Sequence, residues 1–155
     1  MGFSPASPVT GAPGTGLSSP TYTLVTDTAP TSNGKQWAVS ALGGTQTSVT
    51  VSSVDKPFTL SVFKPAVFNR IPPVNPVTGV LPRVARNVWK IITRKGGTPL
   101  SGQTPQLILI ETVVTVPAGV ETADFPALSA ALSLHIGSLW EQSNEFGDSV
   151  ASGVL

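Results

Sequence analysis

Cysteine is absent from all 155 residues, which excludes a disulfide framework, thiolate catalysis and every cysteine-ligated zinc or iron–sulfur site. Histidine occurs once, at His135. No run approaches the roughly 18 apolar residues of a membrane span. The first twenty residues hold neither a basic n-region nor an apolar h-region, so no secretory signal is expected and synthesis in a cytoplasm is. Charge is scarce too: 11% of residues carry it, where soluble domains average about 25%. Two explanations fit so uncharged a chain. Its surface is covered by other copies of itself, or it is solubilised by hydroxyls, of which 17 Ser and 18 Thr supply many. Self-assembly is the expectation carried forward.

What is present is punctuation. Gly and Pro number 15 each, which suits short strands and turns better than a helical bundle. The length fits one domain. The net charge of +1 hides a marked asymmetry, because all nine cations lie between Lys35 and Lys95 with one acid, Asp55, among them. Asp27 precedes that window, and Glu111, Glu121, Asp124, Glu141, Glu145 and Asp148 follow it. A basic middle and an acidic end suit a molecule with one surface for polyanions.

Residues 1–20 contain four prolines, four glycines and no charge, and read as a flexible arm preceding a single domain over 21–155. Thr21–Thr26 and Gln36–Leu42 read as strands joined through the turn signals Pro30 and Asn33-Gly34, an N-terminal hairpin. Gly43-Gly44 should end it. Residues 47–54 alternate weakly and predict another strand, whereas Phe58–Lys64 alternates cleanly, with Thr59, Ser61 and Phe63 on one face. Residues 65–85 hold five prolines and form a long irregular excursion. In Arg86–Lys95 the residues Arg86, Val88, Lys90, Ile92 and Arg94 share one face, and Trp89, Ile91 and Thr93 the other. Gly96–Pro105 reads as a loop. In Gln106–Val116, Ile108, Ile110, Val114 and Val116 face inward, opposite Leu109, Glu111, Val113 and Thr115.

The period then lengthens. Phe125, Leu128, Leu132, Ile136 and Leu139 mark one face of a helix, with Asp124 as N-cap and Pro126 tolerated in the first turn. A second helix, roughly 148–152, is expected after Gly147. Strands followed by helices predict an α+β fold: an antiparallel sheet over about 21–117 with two helices, about 124–155, on one face. The acidic helices should cover the Trp89 face and leave Arg86, Lys90 and Arg94 free on the other.

No catalytic or metal-binding constellation emerges. His135 has no converging partners, and the acids follow no metal-ligand or paired-carboxylate spacing. No P-loop, G-x-G-x-x-G or G-x-S-x-G pattern occurs. An enzyme, a metal site and a cofactor are therefore not expected. The cation row supports either of two readings. Arg86, Lys90 and Arg94 can each neutralise a phosphate, with Thr59 and Ser61 supplying hydroxyls beside them, or the row is an ordinary solvated strand face.

Four segments add a resemblance. Phe58-Thr59-Leu60-Ser61-Val62 ending at Lys64-Pro65, Arg86-Asn87-Val88-Trp89-Lys90-Ile91, Val114-Thr115-Val116-Pro117 and the helical end Ser149-Val150-Ala151-Ser152-Gly153-Val154-Leu155 follow one another at the spacing found in coat proteins of the single-stranded RNA bacteriophages. Over roughly residues 57–155 the chain resembles that levivirus group. The resemblance implies a homodimer with one continuous sheet, helices clasping the partner, and an icosahedral shell packaging the RNA genome. It places the protein in the virion, assembled in the bacterial host cytoplasm, with no membrane partner.

By position, Thr59 and Ser61 would contact a base, Lys90 a base or phosphate, and Arg86 and Arg94 phosphates, including those of a translational-operator hairpin. Glu111 stands where relatives carry a polar RNA-facing residue. Leu109 stands where they often carry a stacking tyrosine, a loss of about 1–3 kcal/mol. The arm and the 65–85 excursion exceed the familiar relatives and are expected at subunit contacts. The Gly96–Pro105 loop corresponds to the one that gathers around symmetry axes. A secreted or fimbrial β-rich surface protein without nucleic-acid binding is the competing reading.

Overall fold

A computed structural model describes residues 2–155. Six strands form one antiparallel sheet in sequence order: β1 (Val9–Thr10), β2 (Leu17–Asp27), β3 (Gly34–Gln46), β4 (Phe58–Phe63), β5 (Arg86–Gly97) and β6 (Gln106–Pro117). Three helices follow: α1 (Val120–Ala123), α2 (Phe125–Glu141) and α3 (Ser143–Ser152). The expected hairpin is β2–β3, part of the sheet. No helix among the described residues is long and apolar enough to cross a membrane.

Several boundaries differ from the sequence reading, each for a physical reason. β2 begins inside the proline- and glycine-rich arm, at Leu17, and the arm lies along the sheet. Gly11 N donates to Pro20 O at 2.8 Å, Ser7 Oγ accepts from Leu24 N at 2.9 Å, and the Phe3 ring stands 6.0 Å from Trp37. Gly43 and Gly44 do not end β3. Gly44 takes a left-handed φ of 71° where the carbonyls of Ser18 and Ser19 crowd it, beside a register irregularity between β2 and β3. Residues 47–54 form a loop, because β3 already pairs with β2 on one edge and β4 on the other. Lys95 Nζ holds that loop by donating to Thr50 O at 2.9 Å. Burial, and then the neighbouring Lys56, push the Lys95 pKa down.

Asp124 caps α2 as expected, accepting from Ala127 N at 3.4 Å, with a proline in the first turn. The helices part at Gln142 rather than at Gly147, which lies inside α3. Thr15 of the arm fixes that break: its N–H donates to Asn144 Oδ1 at 2.7 Å, and its Oγ1 lies 3.3 Å from Asp148 Oδ1. The 65–85 excursion has a rigid stem. Asn87, fully buried, accepts from Asn69 N at 2.8 Å and donates to Asn69 O at 2.9 Å. Beyond that stem the excursion is exposed, with Val77 at 91%.

The enclosed core is small. Among the described residues, Pro20, Val39, Ile92, Val116 and Ala118 are its buried apolar side chains, and no residue of α1, α2 or α3 is buried. Leu128, Leu132 and Ile136 face Trp89, Ile91, Val114 and Val116 across a cavity of about 510 Å³. Phe125, expected on the packed stripe, is exposed, and Trp89 keeps 38% of its surface open. The chain exposes 10686 Å². A self-contained protein of 15.9 kDa exposes about 7,400 Å².

Candidate nucleic-acid interface

Strand register decides which side chains share a face. Thr59 pairs with Arg94, Ser61 with Ile92 and Phe63 with Lys90 between β4 and β5. Ile92 pairs onward with Glu111, Arg94 with Leu109 and Arg86 with Pro117 between β5 and β6. Alternation therefore sets Thr59, Ser61, Arg86, Lys90, Arg94 and Glu111 on one face of the sheet. Helix α2 and the start of α3 stand over the other face, separated from Ile91, Thr93, Ile110 and Thr112 by a cavity that they line together. His135 is on the sheet-facing side of α2, lining the same space. The three cations stand four residues apart on β5, about 13 Å between neighbours.

The six residues are not equally available. Arg86, Lys90 and Glu111 are exposed and Arg94 is half-buried, whereas Thr59 is 8% exposed and Ser61 is fully covered. The cover over Ser61 is specific. Its Oγ donates to Gln36 Oε1 at 2.8 Å and accepts from Arg94 Nη1 at 2.9 Å. Gln36 continues the line, its Nε2 donating to Asp27 Oδ2 at 2.7 Å. Thr28 N donates to the other Asp27 oxygen at 2.7 Å. The Gln36 bond first, and then the Thr28 bond, hold the Asp27 carboxyl below its ordinary value of 3.8.

One hydrogen-bonded line thus crosses β2, β3, β4 and β5 and ends on a guanidinium. Arg94 is oriented by a neutral hydroxyl, a contact that leaves its charge uncompensated. Gln36 and Asp27 were not singled out by sequence. Their signal is only that Gln36 alternates onto the face of Ser61 once the β3–β4 register is known.

Among the described residues the sheet ends on β6, with no strand paired beyond it. Leu107, Ile108, Leu109, Ile110 and Val113 are each at least half exposed there, on both faces, and Leu134, Trp140, Phe146 and Val150 are exposed on the helices. An apolar edge strand with open backbone groups is a template for pairing with another chain.

No family model and no curated protein matches this chain. Among solved structures it is similar to the virus-like particle of bacteriophage ESE020, at 47% identity and a TM-score of 0.96, covering 99% of this chain and 100% of that one. It is similar in fold to the virus-like particle of Beihai levi-like virus 32, at 16% identity and a TM-score of 0.54, covering 86% of this chain and 88% of that one.

Proposed function

The chain belongs to the coat proteins of the single-stranded RNA bacteriophages, and on that premise we propose that it is a capsid subunit, assembling through dimers into an icosahedral shell that packages RNA on the cation-bearing face. The observation that carries assembly is the surface left open. The excess over a self-contained protein, roughly 3,300 Å², is about four times the 800 Å² per partner of a standard interface. In this reading β6 pairs with the β6 of a second copy, so that two sheets become one. The helices then lie across the partner, filling the space against Trp89 and Ile110. The role is structural, its place is the virion, and its partners are other copies of the chain and RNA.

RNA occupies the opposite face. Lys90 and Arg86 meet phosphates directly, and Arg94 meets one from its seat on Ser61. Ser61 acts beneath Arg94 and positions it, and Thr59 lies covered beside it. Leu109 offers no stacking surface, which favours packaging by charge and shape over recognition of one operator hairpin.

The test is expression of the protein alone in bacteria, followed by size exclusion with absorbance at 260 and 280 nm and negative-stain imaging. The expected result is uniform hollow spheres carrying nuclease-protected RNA. A small RNA-free species would overturn the reading. Lys90→Glu should lower the RNA content of the particles while leaving the fold intact, and unchanged RNA content would remove Lys90 from the interface.

A further inference from the structure

We infer that Phe63 is a nucleobase-stacking platform on the RNA face, taking on β4 the part that Leu109 cannot play on β6. The inference rests on the RNA reading above and names a contact within it. Phe63 alternates with Thr59 and Ser61 and pairs with Lys90, so its ring shares the face of the exposed cations. On the other side its pairing partner is Gly34. A Cβ at Gly34 would stand 2.6 Å from two carbons of the Phe63 ring. The ring therefore lies against bare backbone at that position.

Gly34 has ordinary strand backbone, outside the left-handed region. Its φ does not demand glycine; the close approach of the ring does. The backbone on both sides of the ring is held as well. Lys64 N donates to Asn33 O at 3.0 Å, and Asn33 Nδ2 donates to Lys64 O at 2.7 Å. Phe63 is half-buried, with one side against Gly34 and part of its surface left to solvent. An aromatic ring fixed in place beside an exposed lysine suits single-stranded RNA, because the ring stacks on a base while the cation meets its phosphate. Such a contact tolerates any base, since each has a π-face. Packing a ring over glycine also steadies a strand pair, so the test must separate stacking from stability.

Full-length protein freed of host RNA is titrated with an RNA oligonucleotide of about 12 nucleotides and with an abasic oligomer of equal charge, across a series of salt concentrations. Phe63→Leu should weaken binding to the base-bearing RNA by roughly 5- to 150-fold. The salt slope should not change, because no phosphate contact is lost. Binding of the abasic oligomer should be the same for both proteins, and Phe63→Trp should bind RNA like the wild type. Thermal unfolding of the variants reports any stability effect separately. Equal RNA affinity for Phe63→Leu and wild type, or an equal loss on the abasic oligomer, would overturn the platform while leaving the RNA face standing. Absence of salt-dependent RNA binding by the wild type would overturn both.

Discussion

Along one rung of the sheet, from Ser61 through Ile92 to Glu111, the molecule changes character. At Ser61 the hydroxyl is enclosed by Gln36 and Arg94, and Ile92 is buried beside it. One strand further, Glu111 is exposed, and its neighbours Leu109 and Ile110 show half or more of their surface, with Ile110 at 62%. The middle of the sheet is completed by its own chain; the β6 edge and the helices above it are not. Ser61 and Asn87 have found partners within the monomer, as enclosed polar groups do as a rule. Apolar groups at the edge are left open, and in the proposed assembly a second copy covers them. On the proposed function, the cation face is ordered before its ligand arrives, whereas the interface between identical chains is completed by assembly itself.

The largest effect should come from charging the open region. Ile110→Asp sets a carboxylate where, in the proposed dimer, the β6 edges meet under the helix of a second copy, and burying it unpaired is strongly unfavourable. The expected outcome is complete loss of particles in size exclusion and light scattering, leaving monomer or misfolded chain. Particles of normal yield would show that β6 is not the dimer edge. Shortening the loop between Gly97 and Gln106 is a narrower intervention, since neither paired strand is touched. Dimers should persist and closed shells should fail, as imaging and sedimentation would report. Normal shells would remove the loop from the contacts around symmetry axes.

Much of this division was readable from residue order. Strict alternation in β4, β5 and β6 separated the cation face from the Trp89 face, and the change of period at Asp124 located α2, though not the short α1 before it or the start of α3. Regions with weak alternation were misread. The two serines and the proline of Leu17–Pro20 concealed the start of β2, and residues 47–54 resembled a strand although β3 had no edge left for them. The helix break at Gln142 depends on Thr15, which lies 129 residues from Asn144. Likewise Arg94 reaches Ser61 across 33 residues and Ser61 reaches Gln36 across 25. Such bonds follow from register, which period-two alternation by itself does not specify.

The smallest expected effect probes the completed region through that same line of bonds. Gln36→Ala removes the acceptor for Ser61 and the donor to Asp27, so Arg94 is seated on a hydroxyl free to rotate. RNA affinity should fall about twofold to tenfold, the net worth of a hydrogen bond or so, with the salt slope unchanged because the cation remains. Asp27→Asn tests the far end by pH. The folded-state pKa of Asp27 is depressed, so its contribution to stability is present above the unfolded value and is lost as pH falls through the folded one. The thermal midpoint of the wild type should therefore decline more steeply than that of Asp27→Asn between about pH 5 and about pH 2. The difference should be small, because the carboxylate is fully exposed to solvent. Parallel curves would show that Asp27 merely accepts a surface bond. A loss of RNA affinity in Gln36→Ala without one in Asp27→Asn would end the line that orients Arg94 at Gln36.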